Sequence, residues 1–217
     1  MTDGILLVDK PAGWTSFDVC AKIRGRIRQE YRARGEKPTK RQLRVGHAGT
    51  LDPFATGLLV ILLGDATKKA GEFSKLDKWY DATVTLGATS STGDTEGEIT
   101  LVSDVVPTLE QIETTVAQFR GEITQRPPIF SAIKINGRRA YDLARQGKEV
   151  EIPERTISIH SLEVLDYTYP ELRVRVHVSS GTYIRSLAVD IGHALGTGAY
   201  CSQLRRTHIA DWCVDDA

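Results

Sequence analysis

The sequence contains little cysteine and no long hydrophobic run. Its 217 residues include three cysteines, Cys20, Cys201 and Cys213, which lie far apart. An odd number of cysteines without a C-x-x-C pair argues against a disulfide framework and a zinc site, so we expect reduced thiols in a cytoplasmic protein. The longest purely apolar run, residues 58–63, is far too short to span a membrane. The opening residues MTDGILLVDK predict neither a signal peptide nor a transit peptide.

Several common site motifs are also absent. The segment GDATKKAG contains glycines and lysines but does not match the phosphate-loop pattern G-x-x-x-x-G-K-[ST]. The acidic segment DTEGE at 94–98 does not have EF-hand spacing, so we expect a polar turn there. SSGTY is not the G-x-S-x-G elbow of a serine hydrolase. The five histidines have no ligand-like spacing, so we expect structural or surface roles for them and no metal site.

Charge is balanced over the chain but unevenly distributed along it. The formal net charge is zero, with 28 Lys and Arg against 28 Asp and Glu. Residues 22–44 contain ten Lys or Arg and two acids, whereas residues 81–119 contain seven acids and no Lys or Arg. A basic segment of this kind can bind phosphates. It is equally the composition of a solvated helix face followed by a loop, and charge alone leaves both interpretations open.

Hydrophobic periodicity predicts an α+β protein. Thr15 followed by Asp18 predicts a capping box at the start of the first helix, with Cys20, Ile23 and Ile27 on its buried face. Further helices are predicted at 65–75, 108–119 and 182–195, and strands at 4–9, 58–63, 79–87, 157–167, 171–179 and 199–210. Residues 126–156 resemble an irregular excursion from the core. The elements do not alternate with a regular β-α-β period, so a mixed sheet fits better than a doubly wound fold.

The stretch RVGHAGTLDPFATG, residues 44–57, contains one carboxylate, Asp52, with no second acid beside it. A turn aspartate before a proline is one interpretation, because Asx turns are common there and the residue before proline is held extended. A reactive carboxylate is the other. Gly46, Gly49 and Gly57 would let the backbone approach a bulky ligand, and His47 can point into the same site. A lone carboxylate that reacts would act as a nucleophile, with a cation nearby to keep it ionised.

Six blocks of the sequence resemble, in order, those of the bacterial tRNA pseudouridine synthase B family. Together they run from residue 4 to about residue 210. The blocks are DKPAGWTSFDV (9–19), GHAGTLDPFATGLLVILLGDATK (46–68), KWYDATVTLGATSSTGDTEGEI (78–99), QRPPIFSAIKINGRRAYDLARQG (125–147), SSGTYIRSLAVDIG (179–192) and LRRTHI (204–209). The order of six blocks identifies the family, whereas TLDP alone would carry little information.

The resemblance implies the pseudouridine synthase fold, with a mixed, mostly antiparallel central sheet flanked by helices and loops. It also implies isomerisation of uridine 55 in the T loop of tRNA, without a cofactor or metal. By residue-by-residue match, Asp52 would be the nucleophile. Tyr80 would stack on the target base and accept a proton, and Arg185 would pair with Asp52. His47 would fill the space of the flipped base, while Tyr183 and Leu204 would line the uracil pocket. Whether Asp52 attacks C1′, adds to C6 or promotes elimination stays open.

The resemblance further implies one catalytic domain over residues 1–217, with an RNA-gripping thumb at about 125–156 that orders on tRNA. Cations in the thumb that are expected to contact RNA are Lys134, Arg138, Arg139 and Arg145, with Arg126 and Lys148 beside them. The family's C-terminal RNA-binding domain is expected to be absent. The expected partner is the T arm of tRNA, with no membrane and no obligate protein partner.

Two alternatives stay open beside this hypothesis. One is a synthase guided by an RNA and partner proteins, as in archaeal and eukaryotic relatives. The block DKPAGWTSFDV and the self-contained thumb favour the stand-alone form. The other is a non-catalytic chaperone that opens the T arm, and the presence of Asp52, Tyr80 and Arg185 argues against binding alone.

Overall fold

A computed structural model describes residues 3–131, 133–135, 138–140, 146 and 152–217. The chain divides into two compact units. The first comprises Met1–Tyr80 and Arg205–Ala217, and the second comprises Asp81–Leu204. Two strands, β4 (Lys78–Leu86) and β12 (Ala199–Ile209), carry the chain from one unit into the other.

The first unit is built around strand β3 (Thr56–Leu63), whose residues 58–62 are completely buried. Strand β1 (Gly4–Lys10) pairs with it in antiparallel register along its length. Strand β2 (Val45–Ala48) pairs antiparallel with its second half, and the end of β12 pairs parallel with its start. Strand β13 (Trp212–Cys213) pairs with β12. The apolar run of β3 reflects this burial between neighbours on both edges.

Helix α1 (Ser16–Ala33) starts where its sequence predicts. The Thr15 hydroxyl accepts from the Asp18 N–H, and the Asp18 carboxylate accepts from the Thr15 N–H, which completes the capping box. Cys20, Ile27 and Tyr31 are buried and pack in one cluster with residues of β2 and β3. The amphipathic face of α1 therefore covers the strands that flank the Asp52 stretch.

Residues 64–74 differ from the single helix expected at 65–75. A 3-10 helix (Gly64–Lys69) is followed by the short helix α2 (Ala70–Ser74). The Thr67 hydroxyl donates to the carbonyl of Gly64, three residues back, at 2.7 Å. This bond favours the tighter turn, because side-chain hydroxyls compete with the helical hydrogen-bond pattern.

The second unit contains a sheet in which β12, β4, β11 (Glu171–Val178), β10 (Arg155–Thr168) and β7 (Gly121–Gln125) are neighbours in that order. Helix α3 (Leu109–Ala117), capped by Thr108 as expected, precedes β7, and helix α4 (Ile184–Ala194) precedes β12. Strands β5 (Ala88–Ser90) and β6 (Ile99–Leu101) form a separate pair. The alternating burial of β11 gives this sheet one apolar face.

The predicted α+β class with a mixed sheet is confirmed: the described ladders with printed registers are antiparallel except for β3 with β12. The sequence did not predict β2, β5, β6 or β7.

Within the thumb, β8 (Lys134–Ile135) and β9 (Arg138–Arg139) form a hairpin whose side chains are not described. Arg145 and Lys148 lie outside the described residues. The expectation that the thumb orders on tRNA concerns the same segment and stays a prediction. Over the part of the chain that the structure describes, no helix has the length and apolarity needed to cross a membrane.

Candidate active site

Asp52 lies in the loop of residues 49–55, which joins β2 to β3 in the first unit. The Ala55 N–H donates to the Asp52 carbonyl at 3.2 Å, so residues 52–55 form a closed turn with Pro53 at its second position. Leu51 and Ala55 are buried, and Asp52 itself is half-buried. The aspartate therefore opens a turn, as one interpretation of the sequence expected, and the reactive carboxylate stays a prediction.

A buried serine anchors this loop to helix α1. The Ser16 hydroxyl donates to the Leu51 carbonyl at 3.2 Å and accepts from the Leu51 N–H at 3.0 Å. Ser16 is 1% exposed and is the first residue of α1, so its position is fixed by the helix and its capping box. Leu51, the residue directly before Asp52, is thus held through both its N–H and its C=O.

Two buried cations hold the loop from other sides. The Lys10 ammonium donates to the carbonyls of Trp14 (2.7 Å), Pro11 (2.9 Å) and Pro53 (3.3 Å). The Arg206 guanidinium is 1% exposed and donates through Nε to the Leu58 carbonyl at 2.7 Å.

The other two nitrogens of Arg206 donate to the loop itself, at 3.0 Å to the Gly49 carbonyl and 3.5 Å to the Thr50 carbonyl. A buried charge is tolerated only when it is well hydrogen-bonded, and these carbonyls meet that requirement. The reasoning from sequence missed both Lys10 and Arg206. The one indication in the sequence that these two residues belong to the site was that each lies inside one of the six blocks that resemble the family.

A third cation, Lys78, lies next to this group. Burial, with a further contribution from the charge of Arg206, lowers the pKa of Lys78 to about 8. Its ammonium donates to the carbonyls of Ser74, at 2.9 Å, and Leu76. Lys78 and Arg206 both approach Gly49, so the start of the loop lies against two cationic side chains.

One glycine of the stretch does not have the role expected from the sequence. A Cβ on Gly57 would overlap the carbonyl of Arg206 and lie 2.8 Å from its nitrogen, because β12 passes at this point. The expectation that Gly57 makes room for a ligand was therefore wrong, because the backbone of Arg206 occupies that space. A Cβ on Gly49 would lie 3.5 Å from Lys78 and Arg206, and one on Gly46 would lie 3.5 Å from Thr67, which are ordinary contacts, so for these two glycines the expectation stays a prediction.

His47 lies on strand β2, opposite Ile61 of β3, and not in a loop as the glycines around it suggested. It is half-buried. Its ring meets the ring of Phe17 edge to face, with centroids 5.2 Å apart and an interplanar angle of 88°. Phe17, the second residue of α1, was not among the residues predicted from the sequence.

Tyr80 is the last residue of the first unit and lies on β4, with 7% of its surface exposed. The side chain of the neighbouring Trp79 points to the opposite face of the strand, as alternation requires. The centroid of its ring lies 6.5 Å from that of the His208 ring. The burial of Tyr80 is compatible with ordinary strand packing as well as with the predicted contact to a base.

Arg185 lies in the first turn of α4, in the second unit, and is 3% exposed. Its NH1 atom is 3.2 Å from Oδ2 of Asp94 and donates to the Thr92 carbonyl at 2.9 Å, and its NH2 atom donates to the Phe130 carbonyl at 2.8 Å. Asp94 is 2% exposed. The sequence analysis assigned Asp94 to a polar turn and did not predict this pair. The predicted pairing of Arg185 with Asp52 stays a prediction.

Tyr183 is the N-cap residue of α4, and a buried glutamine holds its backbone. The Gln125 side chain donates to the Tyr183 carbonyl at 3.0 Å and accepts from the Tyr183 N–H at 2.8 Å. The Arg155 guanidinium lies over the Tyr183 ring, 4.9 Å from its centroid. The first turn of α4 is thus fixed by the end of β7, and Gln125 is a further residue that was not predicted from the sequence.

The predicted site residues fall in both units. His47, Asp52 and Tyr80 belong to the first unit, and Tyr183, Arg185 and Leu204 belong to the second, where Leu204 is 8% exposed on β12. Within the first unit the loop of Asp52 directly follows the strand of His47. That the two groups form one pocket stays a prediction.

Comparison with known proteins gives the family. The model described as "TruB family pseudouridylate synthase (N terminal domain)" matches residues 37–184. A protein of Phocaeicola vulgatus named tRNA pseudouridine synthase B is 47% identical over 214 residues, covering 98% of this chain and 88% of that protein. A protein of the same name from Protochlamydia amoebophila is 45% identical, covering 99% of this chain and 77% of its own length. A third, from Dehalococcoides mccartyi, is 48% identical over 94% of this chain and 64% of its own length.

Solved structures agree with this relationship. A chain in the crystal structure of a Cbf5-Nop10-Gar1 complex is 33% identical, with a TM-score of 0.71 over 98% of this chain. A chain in an H/ACA RNP bound to a substrate RNA containing 2'-deoxyuridine is 30% identical, with a TM-score of 0.68. This chain spans 50% and 49% of the lengths of those two chains. The family model over residues 37–184 and the relatives of 45% to 48% identity show that the chain belongs to the TruB family of pseudouridylate synthases.

Proposed function

We propose that the chain isomerises uridine 55 in the T loop of tRNA to pseudouridine. The observation that carries the proposal is the loop of residues 49–55, in which buried Ser16, Lys10 and Arg206 hold the backbone around a single half-buried carboxylate. A fixed backbone of this kind serves a group that must meet its target in one geometry. The near full-length similarity to proteins named tRNA pseudouridine synthase B supports tRNA as the substrate.

In the proposed reaction the Asp52 carboxylate attacks C1′ of the target nucleotide, and the bond from C1′ to N1 of uracil breaks with its electron pair on the base. The freed uracil turns in the pocket and C5 attacks C1′, which breaks the bond to Asp52 and restores the carboxylate. C5 then loses its proton, with Tyr80 as the proposed acceptor, and N1 gains one. No atom is gained or lost overall, so the step is an isomerisation without a cofactor or metal. Two alternatives give the same overall isomerisation with no atom gained or lost. In one, Asp52 adds to C6 of the base, and in the other, Asp52 promotes an elimination.

Access to the target base requires base flipping. A uridine inside a folded loop cannot be attacked in place, and extrusion costs a few kcal/mol that stacking on an aromatic side chain offsets. We propose that Tyr80 provides this stacking. His47, whose strand leads directly into the Asp52 loop, would fill the space that the flipped base leaves in the RNA. Tyr183 and Leu204 would line the uracil pocket. Arg185 would place its positive charge beside Asp52 while Asp94 holds the guanidinium from the other side.

The thumb is the proposed grip on the T arm. We assign phosphate contacts to Lys134, Arg138, Arg139 and Arg145, because loops of RNA are bound by cations interleaved with aromatic residues. The stand-alone form is favoured over the guided form, since the identity to the bacterial relatives is 45% to 48% and that to the chain of the Cbf5-Nop10-Gar1 complex is 33%. We place the protein in the cytoplasm, where tRNA is processed and where its three free cysteines stay reduced.

The test uses unmodified tRNA transcript and carbodiimide mapping of pseudouridine. The wild-type chain is expected to yield product at position 55 without added RNA or protein. Asp52→Asn is expected to yield none, and the matched control Asp104→Asn, an exposed acid elsewhere, full product. Absence of product with wild type would overturn the enzyme hypothesis, and would support a chaperone if the tRNA still refolds. Product that depends on an added guide RNA and partner proteins would support the guided form. Full product from Asp52→Asn would overturn the assignment of the nucleophile.

A further inference from the structure

Phe17 presents an aromatic ring to solvent from a fixed position. Its side chain is 61% exposed, and no other aromatic residue among those the structure describes is as exposed. It is not on a frayed end, because Thr15 and Asp18 cap the helix around it and its neighbour Ser16 is buried. An exposed single hydrophobic residue alone needs no explanation, so its surroundings decide its meaning.

The ring lies beside the residues proposed for base flipping. Phe17 contacts the ring of His47 edge to face, with centroids 5.2 Å apart. The residue before it, Ser16, binds both backbone groups of Leu51, which directly precedes Asp52. The exposed ring therefore contacts the residue proposed to replace the flipped base, and its neighbour in α1 holds the loop of the residue proposed to react.

The helix that carries this ring also carries exposed cations, of which Arg28 and Arg32 project on the side of Phe17 and Lys22 and Arg26 on the opposite side. Four exposed residues of α1 form no ion pair with any described residue: Lys22, Arg26, Arg28 and Arg32. By contrast, Arg41 and Arg44, later in the same basic segment, pair with Asp65. The cations along α1 are thus available to phosphates, whereas Arg41 and Arg44 already have a carboxylate partner.

We propose that the exposed ring of Phe17, supported edge to face by His47, is an aromatic platform on which an unpaired base of the RNA substrate stacks next to the flipped uridine, with the following phosphates along α1. The inference rests on the proposed function, since it supplies a further contact with the same RNA. A nucleobase is the occupant because an exposed ring on a helix that carries unpaired cations on the same side combines base stacking with phosphate attraction. One ring offers too little apolar area for a protein partner, whose interfaces bury far more surface.

The test measures binding of a T-arm stem-loop RNA that carries 2-aminopurine beside the target uridine. Phe17→Ala is expected to weaken binding by about tenfold, as the loss of one base stack does. It is also expected to remove the quenching of 2-aminopurine that stacking causes in the wild type. Phe17→Trp keeps an aromatic face and is expected to restore both. Phe17→Leu keeps apolar volume without that face and is expected to behave like Phe17→Ala. Leu101→Ala, which alters a side chain 85% exposed in the second unit, is the control and is expected to bind as wild type.

Unchanged affinity and quenching in Phe17→Ala would overturn the inference, as would full rescue by Phe17→Leu, which would show an apolar contact and not stacking. Circular dichroism of each variant separates these results from loss of folding. The proposed function fails separately: wild type that binds and quenches but makes no pseudouridine refutes the reaction and leaves the platform standing. Wild type that makes pseudouridine while Phe17→Ala binds normally refutes the platform and leaves the reaction standing.

Discussion

The guanidinium of Arg185 lies 3.2 Å from the carboxylate of Asp94, and both side chains are almost completely buried, at 3% and 2% exposed. Asp94 in turn accepts from the Thr92 hydroxyl at 2.5 Å and from the Glu96 N–H at 2.9 Å. The carboxylate is therefore fixed by its own turn before it meets the arginine. The Arg185 guanidinium is therefore held in position by Asp94 and by the carbonyls of Thr92 and Phe130, which lie in turn and loop segments.

Removal of Asp94 is expected to destabilise the protein and to impair the reaction. Asp94→Ala takes a counter-charge from a buried guanidinium, which we expect to cost about 3 kcal/mol of unfolding free energy, at the lower end for buried pairs because two carbonyl acceptors remain. Urea unfolding measures this loss. The control is Asp81→Ala, which breaks the exposed, bidentate pair with Arg175 and is expected to cost about 1 kcal/mol or less. Equal losses for the two variants would contradict the importance of burial.

Gln125 is expected to act as a positioning residue for the first turn of α4. Gln125→Ala leaves the N–H and C=O of Tyr183 without this partner, which should cost about 1–3 kcal/mol of stability. Because Tyr183 and Arg185 are adjacent to that turn, we expect kcat to fall more than KM rises. Gln125→Glu keeps the acceptor for the Tyr183 N–H and should recover part of kcat.

Steady-state kinetics with unmodified tRNA measure this effect. Gln118→Ala, at the exposed C-cap of α3, is the matched control and should leave both constants unchanged. A rise in KM at constant kcat for Gln125→Ala would assign Gln125 to substrate binding instead.

Gly57 is expected to tolerate no side chain. Its φ is 103°, and a Cβ would overlap the Arg206 carbonyl where β12 pairs with β3, so Gly57→Ala should cost more than about 4 kcal/mol and yield little folded protein. Gly13 has a φ of 78° but no atom within 4 Å of a built Cβ. Gly13→Ala should therefore cost only the backbone strain of about 1–2 kcal/mol. Soluble yield and thermal melting compare the two, and a Gly57→Ala protein as stable as Gly13→Ala would show that β12 can move away.

The buried ammonium of Lys78 is expected to make stability depend on alkaline pH. Its folded-state pKa of about 8 lies below the ordinary lysine value of 10.5, so the unfolded chain binds this proton more tightly. The contribution of Lys78 to stability therefore rises with pH between about 8 and 10.5, and below pH 8 the full cost of burying the charge remains. Lys78→Met removes this pH-dependent contribution to stability. The stability of the variant relative to wild type should be greatest below pH 8 and should decline toward pH 10.5.

Urea unfolding at a series of pH values measures the difference. Lys75→Met, at an exposed lysine nearby, should run parallel to wild type over the same range. A constant difference between Lys78→Met and wild type would show that Lys78 keeps its ordinary pKa in the folded protein.

Helix starts were predictable because capping chemistry is local. Thr15 with Asp18, and Thr108, mark the first residues of α1 and α3 in the sequence as they do in the structure. The apolar run of β3 and the alternation of β11 were equally evident. Strand β2 was not, because its residues VGHA are small and polar, and only pairing with β3 makes them a strand. The short strands β5 and β6 of the acidic segment were also not predicted, because each is a strand only through pairing with the other across a turn.

The site residues divide in a similar way. Asp52, Tyr80 and Arg185 were found through family resemblance, since a lone acid, a strand tyrosine and a helix arginine have ordinary explanations by themselves. Lys10 and Arg206 appear in the sequence as surface charges. Their burial depends on carbonyls brought close by tertiary structure, and no local pattern records where a distant carbonyl will lie.

The double hydrogen bond between Ser16 and Leu51 also determines how the protein opens. The amide of Leu51 can exchange its hydrogen with solvent only when its bond to Ser16 breaks, and Ser16 belongs to the first turn of α1. The loop of Asp52 and the start of α1 therefore form one cooperative unit in local unfolding. Fraying of this helix end would release Leu51 and leave the loop held by Lys10 and Arg206 alone, so we expect activity to fall before global unfolding on heating.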